Sequence, residues 1–205
     1  IMLGLTDRPK TADQKIYPLV TNGLQVMSIA LLIAEDQPVI WRGPMLHSAI
    51  KQFLFDVVWD DLDYLVVDLP PGTGDAQLSL SQQAHIMGSL IVTTPQTAAV
   101  NVARRGARMF DSVNVPLLGV VENMSYLEIP ESDERNYLFG EGGGKETATA
   151  LQTNFLGQVP LDGAIRQGCD LGIPIVLGQP ESKPAQAFVS IAKQILGATQ
   201  YSASS

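Results

Sequence analysis

The residues best suited to chemistry lie in one short stretch, where an aspartate ends an apolar run and a glycine-rich loop follows. Asp68 comes directly after Tyr64–Val67, and residues 70–74 read PPGTG. A carboxylate at the end of a strand can hold Mg²⁺ directly or through water, and glycines let a loop backbone approach a phosphate. We therefore interpret Asp68 as a metal residue and Gly72 with Gly74 as a phosphate-sensing loop. The alternative for Asp68 is a turn residue at a strand end.

Two glycine patterns that look like nucleotide-binding fingerprints fail on their spacing. Gly72 and Gly74 would begin a dinucleotide fingerprint, but Gln77 stands where its third glycine is needed. Residues 140–146, GEGGGKE, have one residue too few for a P-loop and a glutamate where serine or threonine should bind magnesium. We therefore expect neither a dinucleotide-binding fingerprint at 72–77 nor a P-loop at 140–146.

The elements that position these residues alternate along the chain. Short apolar runs are separated by longer segments of helical period, which is typical of an α/β fold with a mostly parallel central sheet and helices on both faces. Four runs are predicted to be buried strands: Tyr64–Asp68, Leu90–Thr94, Pro116–Val121 and Phe155–Val159. Amphipathic helices are predicted for three segments: Pro44–Val57, Thr97–Phe110 and Pro184–Leu196.

Two stretches of the chain depart from this alternation. Residues 124–144 are polar and end in three glycines, which predicts an excursion from the sheet edge that carries function. The length of 205 residues predicts a single domain over residues 1–200, followed by a frayed tail at 201–205.

Charge and cysteine content exclude several classes of partner. The net charge of −8 repels nucleic acid and acidic bilayers, so neither is expected as a partner.

Cys169 is the single cysteine, which suits a reducing compartment and predicts a cytoplasmic protein. Arg104, Arg105 and Arg108 gather on one helix face, either as a solvated surface or as a docking patch for an acidic protein.

Five motifs in chain order resemble the Mrp/ApbC family of P-loop ATPases, which are MinD/ParA-like carriers or scaffolds for iron–sulfur clusters. The motifs are VIWRGPM at 39–45, YLVVDLPPGTGDAQL at 64–78, VTTPQ at 92–96, VVENMS at 120–125 and FGEGGG at 139–144. The resemblance implies ATP binding and hydrolysis with Mg²⁺, a homodimer, and apoproteins as the acceptors of clusters.

The resemblance also assigns roles to individual residues. It implies that Asp68 is the catalytic Walker B acid on magnesium and that Gly72 acts in the switch that follows the γ-phosphate, together with Gly74. It places Asn123 against adenine, whereas the residues alone leave open that Asn123 is a turn former at a strand end. The loop containing Pro160 and Asp162 is implied to pack against the same base.

Two features of the family are missing from this sequence. Nothing between residues 1 and 40 matches the glycine-rich P-loop, so we expect an N-terminal segment upstream of this sequence. The Cys-x-x-Cys of many relatives is replaced by LEIPES at 127–132. Because two copies of Cys169 supply only two thiolates, a [4Fe–4S] cluster in a dimer would need further ligands.

Two other functions compete with a cluster-carrying ATPase. A positioning ATPase like MinD or ParA would bind a membrane or DNA, but the final helix is not basic, as membrane-surface helices usually are. A non-catalytic scaffold or regulatory relative would account for the missing motifs.

Overall fold

The computed structural model describes residues 1–32, 43–69, 74–129, 132 and 134–202. The chain divides into two compact units, Leu3–His85 and Ile86–Ser205, which we call the amino-terminal and carboxyl-terminal units. The predicted single domain over residues 1–200 stays a prediction. Of the predicted tail, residues 201 and 202 continue the last helix, and 203–205 lie outside the described residues.

Two small hairpins begin the amino-terminal unit. Strand β1 (Lys10–Ala12) pairs antiparallel with β2 (Lys15–Tyr17), and β3 (Leu19–Thr21) pairs with β4 (Leu24–Val26). The two-residue loops 13–14 and 22–23 have positive φ at both positions, as a type I′ turn requires. The backbone twist of this turn type matches the twist of the flanking strands, so it joins the two strands of each hairpin without distortion.

Two helices complete the amino-terminal unit. Helix α1 (Gly43–Phe55) confirms the predicted first helix and packs against α2 (Gly74–Gln83). The side-chain amide of Gln83 donates to the carbonyl oxygen of His47 at 3.4 Å, which links the two helices. After α1, buried Val57 forms a parallel bridge with buried Ile16 of β2.

The prediction of a buried strand at Tyr64–Asp68 is wrong. This segment belongs to no β-ladder of the described residues, and its apolar side chains are exposed, with Val66 at 86%. A strand exists only where a neighbouring strand exchanges backbone hydrogen bonds with it, and apolar β-branched residues do not supply that neighbour. Asp68 is therefore exposed and lies in an irregular segment.

The carboxyl-terminal unit contains a parallel three-stranded sheet in the order β5–β6–β9. Its strands are β5 (Ser89–Thr93), β6 (Leu117–Glu122) and β9 (Phe155–Gln158), which confirm three predicted strands to within one residue at each end. The segment 124–144 holds a short antiparallel hairpin of β7 (Leu127–Glu128) and β8 (Arg135–Asn136). Five helices belong to this unit as described: α3 (Thr97–Ser112), α4 (Gly143–Ala150), α5 (Gly163–Leu171), α6 (Ile175–Gly178) and α7 (Lys183–Ser202).

Helices cover both faces of this sheet. Val121 of β6 packs with Leu156 and with Ile191 of α7. The next residue, Glu122, contacts Gly144 of α4. Because successive strand residues point to opposite faces, α7 and α4 lie on opposite sides. This arrangement confirms the predicted α/β class, and the predicted helices α3 and α7 are confirmed with it.

No helix within the described ranges combines the length and apolar character that crossing a membrane requires.

Candidate functional site

The carboxyl ends of the three parallel strands meet at one edge of the sheet. Thr93 of β5 pairs with Glu122 of β6, which pairs with Gln158 of β9. Ligands of open α/β sheets bind outside the carboxyl ends of the strands. This edge is therefore where a ligand of the carboxyl-terminal unit is expected.

Asn123 lies directly beyond β6 at this edge. Its backbone N–H donates to the carbonyl oxygen of Thr93 at 2.7 Å, which holds it beside the neighbouring strand. Its side-chain Oδ1 accepts from the backbone N–H of Met124 at 2.9 Å. The Nδ2 group makes no hydrogen bond with any residue that the structure describes. The half-buried amide thus keeps two donor hydrogens for a ligand.

The loop after β9 is tied to the loop after β6. The N–H of Ser125 donates to the carbonyl oxygen of Val159 at 3.0 Å, and that of Leu161 donates to Tyr126 at 2.7 Å. These bonds hold buried Pro160 beside the residues that follow Asn123. The structure thus brings the two loops together, while their shared contact with a base, which the resemblance implies, stays a prediction.

Asp162 begins α5 as its N-cap. Its Oδ1 accepts from the backbone N–H of Ala164 at 2.7 Å, which satisfies one of the free donors of the first helical turn. Capping accounts for an aspartate here without a ligand. Its role against a base stays a prediction.

The remaining predicted site residues belong to the amino-terminal unit. Asp68 is exposed, and Gly74 is the first residue of α2. Gly72 lies outside the described residues. The roles of these residues at magnesium and phosphate therefore stay predictions.

A fully buried glutamate organises the sheet edge, and sequence reasoning missed it. The Oε1 atom of Glu122 accepts from Ser125 Oγ at 2.5 Å and from Gln158 Nε2 at 3.1 Å. Its Oε2 atom accepts from the backbone N–H of Gly144 at 2.5 Å. Gln158 also donates to Ser125 Oγ at 2.7 Å, which closes the network. The available signal was an acidic residue at the end of an otherwise apolar strand.

The glycine run brings three of the five motifs into contact. A Cβ on Gly143 would lie 2.5 Å from the carbonyl oxygen of Pro95, and one on Gly144 would lie 2.7 Å from Glu122 Cβ. Both positions therefore need glycine, because any side chain would overlap the neighbouring strand ends. Gly142, at φ +78°, caps α4 in the left-handed conformation. The motifs VTTPQ, VVENMS and FGEGGG thus converge at one point.

The β7–β8 hairpin extends from the same edge. The guanidinium carbon of Arg135 lies 3.9 Å from the centre of the Tyr126 ring, a cation–π contact. Lys183 of α7 forms an ion pair with Glu128 of β7 at 3.1 Å. These contacts anchor the base of the hairpin.

The described residues contain no group of three or more His, Cys, Asp or Glu side chains arranged to hold a metal ion. Cys169 is a free, half-buried thiol on α5. A [4Fe–4S] cluster usually takes four thiolates. The described part of one chain therefore does not supply a full set of cluster ligands.

Comparison with known proteins gives consistent matches over almost the whole chain. The family model ParA, described as NUBPL iron-transfer P-loop NTPase, matches residues 1–196. The iron-sulfur cluster carrier protein of Synechocystis is 52% identical over 96% of this chain and 57% of its own length. The iron-sulfur cluster transfer protein NUBPL of mouse is 44% identical over 95% of this chain and 61% of its own length. The chain thus spans little more than half the length of these relatives.

Solved structures agree with the family match. An Archaeoglobus fulgidus nucleotide-binding protein in complex with ADP is 38% identical, with a TM-score of 0.66 over 80% of this chain and 64% of its own. The cell division ATPase MinD of Pyrococcus furiosus is 25% identical, with a TM-score of 0.54 over 76% of this chain and 59% of its own. The parallel sheet, the converging motifs and these matches agree, and the chain therefore belongs to the ParA family of NUBPL-type iron-transfer P-loop NTPases.

Proposed function

We propose that this chain is part of an ATP-hydrolysing carrier that assembles iron–sulfur clusters and transfers them to apoproteins. The observation that carries the proposal is the 52% identity, over nearly the whole chain, to a protein named as such a carrier. The convergence of three family motifs at a ligand-binding edge supports it independently. We propose further that it acts as a homodimer in the cytoplasm, with apoproteins as the acceptors of its clusters.

The nucleotide is proposed to lie with its base at the carboxyl edge of the sheet. The free Nδ2 donors of Asn123 suit the ring nitrogens of adenine, and buried Pro160 supplies an apolar surface beside them. Asp162 frames the base from the start of α5. For the phosphates, the exposed carboxylate of Asp68 is the hard oxygen ligand that Mg²⁺ prefers, and Gly72 and Gly74 follow the γ-phosphate.

We expect Asn123→Ala in the full-length protein to weaken ADP binding by about 5- to 10-fold, the loss of one neutral hydrogen bond. Titration calorimetry with ADP measures this change. Asn154→Ala is the matched control, since Asn154 is exposed and precedes β9 at the opposite edge. Equal ADP affinities for both variants and the unchanged protein would show that Asn123 does not contact the base.

The carrier activity is tested by anaerobic reconstitution with iron and sulfide, followed by absorption spectroscopy, iron counting and transfer to an apoprotein acceptor. We expect a visible chromophore and an acceptor that gains activity when ATP is present. A protein that stays colourless would contradict the carrier function, and only ATP hydrolysis would remain of the proposed function. ATP-dependent sedimentation with liposomes or DNA would instead favour a MinD-like positioning role.

A further inference from the structure

One face of α3 carries three arginines and an asparagine around an open cavity of about 440 Å³. The lining residues are Asn101, Arg104, Arg105 and Arg108. The three arginines follow Asn101 by three, four and seven residues, and this spacing places all four residues on one side of the helix. Val100, Ala107 and Phe110 form its buried side. Among the residues that the structure describes, the cavity is therefore lined by one face of α3.

None of the three arginines forms an ion pair with an acidic residue that the structure describes. The ion pairs that it shows are Arg166 with Asp170 and Lys183 with Glu128, both on other elements. The Nε atom of Arg104 is inaccessible to solvent and has no hydrogen-bond partner within the described ranges. Arg105 and Arg108 are exposed. The face thus holds three positive charges, one of which keeps a buried donor unsatisfied.

This arrangement is unfavourable for the protein alone. Arg104 and Arg108 are four residues apart and Arg105 and Arg108 three apart, and like charges at these spacings repel on a helix. A buried donor without a partner also costs free energy. The molecule as a whole carries a net charge of −8, so the cluster is not part of a generally basic surface. An anion bound in the cavity would reduce the repulsion between these guanidinium groups.

We propose that this cavity binds a small polyanion that carries phosphate or carboxylate groups. The planar guanidinium group donates paired hydrogen bonds to either of these groups, and Asn101 adds a neutral amide. Three guanidinium groups line one cavity, so a ligand that bears more than one anionic group matches it best. This site shares no residue with the proposed nucleotide site, so it goes beyond the proposed function.

Titration calorimetry of the full chain at low ionic strength tests the site, with tripolyphosphate and citrate as the two probes. We expect at least one probe to bind and Arg104→Gln and Arg108→Gln each to weaken that binding at least about 10-fold. The stronger probe distinguishes a phosphate ligand from a carboxylate ligand. Arg166→Gln is the matched control, because it removes one positive charge from another helix, and it should change the affinity less than about 2-fold.

Three results would overturn the proposal. An equal loss in all three variants would show that net charge, and not this cavity, attracts the anion. No binding of either probe would exclude a small-anion site. Binding of polyglutamate without binding of either probe would assign the face to an acidic protein. Thermal unfolding without ligand checks the fold, and Arg105→Gln, which alters an exposed side chain, replaces any variant that fails to fold.

Discussion

Replacing Asp68 with asparagine in the full-length protein lowers magnesium-dependent ATP hydrolysis at least about 100-fold. The proposed carboxylate holds the metal whose charge stabilises the transferring phosphoryl group, a contribution of several kcal/mol. Asparagine keeps the size of the side chain and loses its charge. Phosphate release at saturating ATP and magnesium measures the effect.

The matched control is Asp63→Asn, which removes a carboxylate five positions earlier in the same exposed segment. We expect it to keep normal turnover. Nucleotide binding in the presence of a chelator separates loss of the metal from loss of the fold, and it should be unchanged in both variants. Full turnover in Asp68→Asn would remove this residue from the mechanism.

Replacing Glu122 with alanine lowers the free energy of unfolding by about 3–5 kcal/mol. Three donors, from Ser125, Gly144 and Gln158, lose this acceptor at a site where the glutamate is 0% exposed, and Gln158 alone keeps a second acceptor, Ser125 Oγ. Each buried donor left without a partner costs about 1–3 kcal/mol. Urea unfolding, followed by circular dichroism, measures the change.

Glu128→Ala is the control for the loss of a glutamate as such. Glu128 pairs with Lys183 at the surface, and surface ion pairs contribute about 0–1 kcal/mol. We therefore expect its effect to stay below about 1 kcal/mol. Equal destabilisation by the two substitutions would show that the buried network does not hold the sheet edge together.

The sequence predicted those strands and helices whose own residues show a clear pattern of apolar and polar side chains. Strands β5, β6 and β9 are short apolar runs bounded by polar residues, and α1, α3 and α7 repeat apolar residues with helical period. The hairpin of β3 and β4 was not predicted, although its turn, Asn22-Gly23, is a strong local signal for a tight turn. The local sequence at 22–23 is therefore sufficient to indicate this hairpin.

The segment Tyr64–Asp68 shows where local patterns fail. Its composition is that of a buried strand, yet it lies outside every described ladder and leaves Val66 86% exposed. Strand formation depends on backbone hydrogen bonds with a second segment, and nothing within five residues specifies that segment. The placement of Asp68 was consequently beyond what its motif alone determines.

By itself, the sequence determined the family, the α/β class and the positions of Asn123, Pro160 and Asp162 at strand ends, since motif order and apolar runs are properties of the chain. Only the tertiary structure decided that Glu122 accepts a hydrogen bond from Gly144, 22 residues away, and that Gly143 packs against Pro95. The physical reason is that a buried acceptor and a close backbone approach depend on which distant segments meet.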